Sequence, residues 1–244
     1  MKEEQKILKL ERAIALAPEG ELYCWKVRDK TAWYCKNRSG RHYLNKSERA
    51  IAEKLAQKKY NERLLAELRY KEGLTKRKKP AKSSLALLID PMYRELILPG
   101  LTGEERAKAI WMTENYSKNP VYREECIFKT PTGECVRSKS EYIIYCALLD
   151  AGLMFRYDSG VSIEGHTIYP DFVIMHPKTG QLLIWEHFGR MDDPAYAEKN
   201  LNKLKSYNKN GWILMKNLLI TTETSSQPLD IEVVRWLIDH YFFS

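Results

Sequence analysis

Apolar positions recur along this chain with two different spacings, and the order in which those spacings alternate predicts its elements. Ile7, Leu10 and Ile14 fall on one face of a helix over 3–16, ended by Pro18-Glu19-Gly20. Stretches 22–27, 31–35 and 42–44 are rich in Tyr, Trp and Val. The turn-like runs Arg28-Asp-Lys30 and Asn37-Arg-Ser-Gly40 separate them, so they read as three short strands. Ser47 is a candidate N-cap for a helix reaching about Tyr70, with Ile51, Leu55, Leu65 and Leu68 on its apolar side. Lys76-Arg-Lys-Lys-Pro-Ala-Lys82 has the basic, proline-containing composition of a linker. Helices are expected over 84–98 and 104–116, and residues 118–137 are irregular.

Beyond that point the pattern is regular. Ser138 caps a helix to about Ala151 that Gly152 ends. Strands are expected over 154–157, over 166–175 with Pro170 inside, and over 182–187 after the turn Pro177-Lys-Thr-Gly180. A helix over 193–209, a strand over 218–221 and an amphipathic helix over 231–242 close the chain. A hairpin of the second and third strands, joined through a crossover helix to a fourth, makes a mixed sheet flanked by helices, an α/β fold. The expected organisation is a basic α+β module over 1–75, a linker over 76–83 and a larger domain over 84–244.

Length and composition change this picture little: 244 residues suffice for one full core plus a smaller module. No apolar run approaches the roughly 20 residues that cross a bilayer. The charged start Met1-Lys-Glu-Glu-Gln5 has no signal-peptide character, so a cytoplasmic location is expected. Five cysteines with no Cys-x-x-Cys pair argue against a disulfide framework and a zinc ribbon. Charge is more informative. Residues 1–82 carry 23 Lys and Arg against 11 Asp and Glu, while the remainder carries 17 against 21. Either the front holds a polyanion and the acidic residues behind it a cation, or both are solvated surface.

Three acidic residues stand at chemically informative places. Glu141 lies in the first turn of the helix that starts after Ser138, Asp171 on the second core strand, and Glu186 near the end of the third. Asp171 and Glu186 are 15 residues apart across a hairpin, where two positions can be neighbours. Paired carboxylates repel unless a cation sits between them, and hard oxygen ligands suit Mg²⁺. Each residue also has a structural reading. Ser138-Lys-Ser-Glu141 is a capping box, Asp171 after Pro170 can end a bulge, and Glu186 can point to solvent.

The segments Arg137-Ser-Lys-Ser-Glu141, Pro170-Asp171-Phe172 and Trp185-Glu186-His187-Phe188-Gly189, in this order, resemble the PD-(D/E)XK nuclease superfamily. More narrowly, they are similar to a bacterial and phage branch, some members of which are fused to helicases. The resemblance covers about residues 120–222 and implies a restriction-endonuclease-like αβββαβ core. It also implies Mg²⁺-dependent hydrolysis of phosphodiester bonds, with DNA as the expected polymer and Mn²⁺ as a substitute ion. Asp171 and Glu186 would bind the metal, and Glu141 a second ion or a water on it. One position departs from the pattern: the superfamily's usual Lys, two residues after the Glu, is Phe188 here. A Lys on the following helix would replace it, with Lys203 preferred to Lys199. Surface lysine is the ordinary alternative for either. His187 should point to the opposite sheet face from Glu186 and serve packing or support. The absent lysine also admits a catalytically inactive nucleic-acid-binding protein of this fold. The absence of a Gly-x-x-x-x-Gly-Lys-Ser/Thr loop admits a nuclease subunit working with a separate helicase.

The front module, three strands and a helix with Lys26, Arg28, Lys30, Lys36, Arg38 and Arg41 around them, reads as a nucleic-acid-binding unit. Its order is similar to that of phage-integrase arm-binding domains, although no residue motif identifies one. Trp25, Trp33, Tyr34 and Tyr43 can face either DNA or the helix, and with only three strands to share a hydrophobic face the core is the preferred place.

Overall fold

The structure, a computed structural model, describes residues 2–73, 83–121, 127–163 and 165–243. It divides into two compact units, Met1–Thr113 and Glu114–Ser244. No described helix is long and apolar enough to cross a membrane.

In the first unit, helix α1 (Lys2–Ala15) precedes strands β1 (Glu21–Val27), β2 (Lys30–Asn37) and β3 (Gly40–Leu44), an antiparallel sheet in that order. Leu22, Cys24, Cys35 and Leu44 are buried on one sheet face. They pack with helix α2 (Arg49–Lys71), which buries Ala52, Leu55, Ala56 and Leu65. Ser47 does not cap α2. Asn45 does the capping, its side chain accepting from Ser47 N while Glu48 returns a carboxylate to Asn45 N, on a 3₁₀ turn that leads into α2. Ser47 lies within the 3₁₀ turn, whereas Asn45 precedes it in extended backbone, so the Asn45 carboxamide oxygen faces the turn's free amide.

The expected helix over 84–98 is two helices, α3 (Leu85–Ile89) and α4 (Pro91–Ile97), followed by α5 (Gly103–Thr113). Pro91 cannot continue α3, and the Asp90 carboxylate accepts from Met92 N to start α4. These helices belong to the first unit, so the boundary lies at 113/114 and not at 76–83. The reason is packing: Leu85, Leu87, Leu88, Leu96 and Ile97 are buried. The Tyr93 hydroxyl donates to Leu22 O at 3.2 Å and accepts from Cys24 N at 3.2 Å. Ser84 holds Glu67 of α2 through both its amide (2.6 Å) and its hydroxyl (2.7 Å). Of the expected linker only Ser83 lies within the described residues.

Five such apolar side chains, at roughly 1.5–3 kcal/mol each, rival the whole stability of an ordinary domain. A fragment ending at residue 113 should therefore melt cooperatively by circular dichroism, whereas one ending at 75 should show no transition. A cooperative melt of the shorter fragment would return α3–α5 to the second unit.

The second unit opens with the two-stranded ribbon β4 (Phe128–Lys129) and β5 (Cys135–Val136), inside the stretch expected to be irregular. Helix α6 (Lys139–Ala151) follows, closed by Gly152 in the left-handed conformation at φ 72°. Strands β6 (Met154–Tyr157), β9 (Phe172–Met175), β10 (Leu182–Phe188) and β11 (Leu218–Thr222) form a mixed sheet in the order β11-β10-β9-β6. β10 is parallel to β11 and antiparallel to β9. Helix α7 (Pro194–Lys209) is the crossover between β10 and β11, and α8 (Ile231–Phe242) packs on α6. Tyr207 and Leu204 of α7 meet Ile184 and Leu218 on one sheet face. Tyr145 of α6 reaches the ring of Phe155, which contacts Phe172.

The strand expected over 166–175 is interrupted. β7 (Val161–Ile163) pairs with β8 (His166–Ile168) as a separate hairpin, and β9 begins only at Phe172. Pro170 has no amide hydrogen to give a ladder, so the chain changes partners there. Asp171 consequently stands at the head of β9 rather than within a strand.

Candidate functional site

The sheet register brings the motif residues together. Phe172 pairs with Trp185, which places Asp171 one step away beside Glu186. The His187 amide donates to Asp171 Oδ2 at 2.7 Å, where regular pairing would have ended. Asp171 thus fastens β9 to β10 through its side chain, and its own carbonyl accepts from Asp158 N at 2.9 Å.

Glu141 enters from the first turn of α6. Ser138 Oγ accepts from Glu141 N at 3.0 Å, as a cap should. The carboxylate completes no box back to Ser138. Its Oε2 instead accepts from Arg137 N (3.0 Å) and from the Tyr157 hydroxyl (2.6 Å), which turns it toward the sheet. Lys203 lies on α7 with its ammonium 2.6 Å from Glu186 Oε1, and the Tyr207 hydroxyl donates to the same oxygen. Tyr196, Asn200, Lys203 and Tyr207 fall at helical spacing. Asn200 and Tyr207 are buried, whereas Lys199 is exposed. The four residues singled out in the sequence, Glu141, Asp171, Glu186 and Lys203, therefore share one cluster.

Two members of the cluster had no role assigned from the sequence. The Arg137 guanidinium reaches Asp171 Oδ1 at 3.1 Å, Asp158 Oδ1 at 3.3 Å and Glu141 Oε1 at 3.7 Å. Asp158 sits at the end of β6 with φ 55°, a left-handed conformation that Asp tolerates better than most residues. Arg137 was visible as the first residue of its motif, but a guanidinium serving three carboxylates from three segments leaves no local signature. Asp158 had one faint signal, an acidic residue directly after an apolar strand.

Among the described residues, four carboxylates (Glu141, Asp158, Asp171, Glu186) face two cations (Arg137, Lys203) in this cluster, an excess of two negative charges when all four are ionised. All four acids are buried. Burial, opposed by Lys203 and reinforced by Asp171, pushes the Glu186 carboxyl up to about 7. Burial and then Asp171 also raise the Glu141 carboxyl. Asp158 is raised by burial against the pull of Arg137. Burial would lower the Lys203 ammonium, but Glu186 and Asp171 outweigh it and hold the group protonated. Tyr157 and Tyr207 are raised far above the ordinary phenol range, by burial and by the carboxylates they serve, so both remain donors.

His187 takes the other sheet face. Its Nδ1 lies 3.0 Å from Thr221 Oγ1, which also accepts from Trp185 Nε1 at 3.1 Å. Its Nε2 stands 3.3 Å from Glu223 Oε1, outside hydrogen-bond geometry. Burial raises the Glu223 carboxyl, but bonds from Ser140 Oγ and Leu229 N and the imidazole together hold it below its usual value. Phe188, two residues after Glu186, is buried.

Asp171 and Glu186 offer hard oxygen donors, and the excess charge of the cluster equals that of one divalent ion. Among the described residues, however, no group of three or more His, Cys, Asp or Glu side chains is placed to hold a metal ion. That donor set fits Mg²⁺, which keeps several waters and takes one or two carboxylates, better than an ion needing a full protein cage. No family profile, curated protein or solved structure matches this chain.

Proposed function

We propose that the second unit is a Mg²⁺-dependent nuclease with a restriction-endonuclease-like core, hydrolysing phosphodiester bonds of DNA. The observation that carries this reading is the convergence of Asp171, Glu186 and Lys203 from β9, β10 and α7, in a cluster two negative charges in excess. In this reading Asp171 and Glu186 hold the ion, which would acidify a water and neutralise charge on the phosphate. Mn²⁺ would serve in its place. Glu141 orients groups at the same centre through its links to Arg137 and Tyr157. Lys203 stays cationic and close to Glu186, available to the charge that develops on the phosphoryl oxygens. Arg137 holds Asp171 in place, and the Tyr207 hydroxyl does the same for Glu186.

One observation favours a second reading. Arg137 and Lys203 already pair with these carboxylates, as they would in a non-catalytic nucleic-acid-binding protein of the same fold. Incubation with single-stranded, duplex and branched DNA, with Mg²⁺, Mn²⁺ or EDTA, separates the two. The nuclease reading expects products only with a divalent ion. At subsaturating Mg²⁺ the rate should fall about tenfold per pH unit below about 7, because Glu186 must lose its proton to bind the ion. No cleavage of any substrate with either ion, with and without an added helicase partner, would leave the non-catalytic reading.

A further inference from the structure

Of the aromatic residues of the front sheet, Trp33 lies on the inner face between Cys24 and Leu44, as expected, but Tyr23, Trp25, Tyr34 and Tyr43 do not. Strand alternation puts Leu22, Cys24, Cys35 and Leu44 inside, so the residues between them face outward. Tyr23 pairs with Tyr34 and Tyr34 with Tyr43, which lines three tyrosines across all three strands on that outer face. Trp25 stands beside them, its ring 5.1 Å from Tyr34, and Tyr34 lies 5.6 Å from Tyr43. Trp25 is 45% exposed and Tyr43 56% exposed, so this is an open surface rather than a minor core.

The same face is basic. The register sets Lys36 opposite Arg41, and Lys30 opposite Val27 at the end of β1. The Arg41 guanidinium lies over Trp25 at 4.8 Å and Tyr23 at 5.4 Å from the ring centroids. The acidic residue of the face, Glu21, is already engaged by Lys59 at 3.0 Å and by the Tyr23 hydroxyl at 2.7 Å. The exposed charge left on the face is therefore positive.

We infer that this sheet face binds single-stranded nucleic acid, its bases stacking on Trp25, Tyr34 and Tyr43 while Lys30, Lys36 and Arg41 meet the phosphates. An aromatic ring offers a π-face that any unpaired base can use, whereas bases inside a duplex are already stacked on each other. A purely electrostatic duplex-binding surface needs the lysines and arginines but has no use for a row of rings of which Trp25 and Tyr43 are exposed and Tyr34 half-buried. An apolar protein partner would leave Lys30, Lys36 and Arg41 desolvated without counter-charge. The inference deepens the nuclease proposal by naming its substrate class, single-stranded or unwound DNA, but the binding itself stands on the front sheet alone.

The test is fluorescence anisotropy with the full chain in EDTA, where no cleavage occurs, using a labelled thymidine 20-mer and a duplex of equal length. The single strand should bind more tightly. Trp25→Ala and Tyr43→Ala should each weaken its binding at least about fivefold, the loss expected for one stacked base. Trp25→Phe, which keeps a ring, should recover most of it. Both positions are exposed, and an unchanged circular dichroism melt establishes that the variants are folded. Tighter duplex binding, or alanine variants that bind the single strand as well as the parent, would overturn the platform. Ring-dependent binding without cleavage in Mg²⁺ would overturn the nuclease proposal alone. Cleavage that ignores the rings would overturn the platform alone.

Discussion

Glu186→Gln should lower the rate of DNA cleavage by at least about 1,000-fold, a loss of about 4 kcal/mol, and at the same time stabilise the metal-free protein above neutral pH. The first effect follows from removing a carboxylate donor at the position proposed for the ion. The second follows from burial. The Glu186 carboxyl is raised from 4.5 to about 7 in the fold, so the folded state favours its protonated form. That advantage is fully present below about 4.5 and is lost as pH rises through about 7. Above it, ionised Glu186 costs ~3 kcal/mol relative to a neutral group. Glutamine is neutral throughout, and Lys203, its side chain 34% exposed, can turn to solvent. Melts in EDTA at pH 4 and pH 8 check the sign: the two proteins should be alike at the first and the variant several degrees higher at the second. A variant that melts lower than the parent at pH 8 would mean that Glu186 is held by its partners more strongly than burial opposes it.

Lys203→Ala should lower the cleavage rate about 100-fold, or about 2.7 kcal/mol of transition-state stabilisation, with Lys199→Ala close to the parent. The contrast rests on placement. Lys203 contacts Glu186 at 2.6 Å, and Lys199, one turn earlier, is exposed. A rate alone does not separate electrostatic assistance from damage to the site, but the pH profile does. Lys203 is the main force lowering the Glu186 carboxyl, so without it that group titrates above about 7 and the acid limb of the profile moves to higher pH. An unmoved acid limb together with an unchanged rate would remove Lys203 from the mechanism.

The elements of the second unit were largely legible because each carries its own local period and its own stop: Gly152 after α6, Asp193-Pro194 before α7, Asp230 before α8. The cluster was legible in its acids, which sit on those elements in a recognisable order. It was less legible in what holds them. Arg137 acts across three segments, and Asp158 depends on one left-handed residue, neither of which leaves a periodic trace. Pro170 was readable as a nuisance within a strand, but the hairpin of β7 and β8 that it separates depends on partners far away in space. The front sheet misled for a different reason. Its strands carry large apolar side chains on both faces, so alternation says that Tyr23 and Leu22 point apart without saying which points inward. Packing on α2 decides that, just as packing by Leu85–Ile97 decides that the basic stretch does not mark the unit boundary.

In the proposed nuclease, the placement of the cation on α7 also changes what the strand beside it has to supply. A lysine on a strand has a fixed address, two positions from its acid, and pairing holds it there. A lysine on a helix reaches its target through four methylenes, so neighbouring turns can donate it while the acid stays put. In the proposed nuclease, a charge supplied from α7 leaves position 188 without a chemical duty, and it holds a buried phenylalanine. The strand then serves packing and the helix reach.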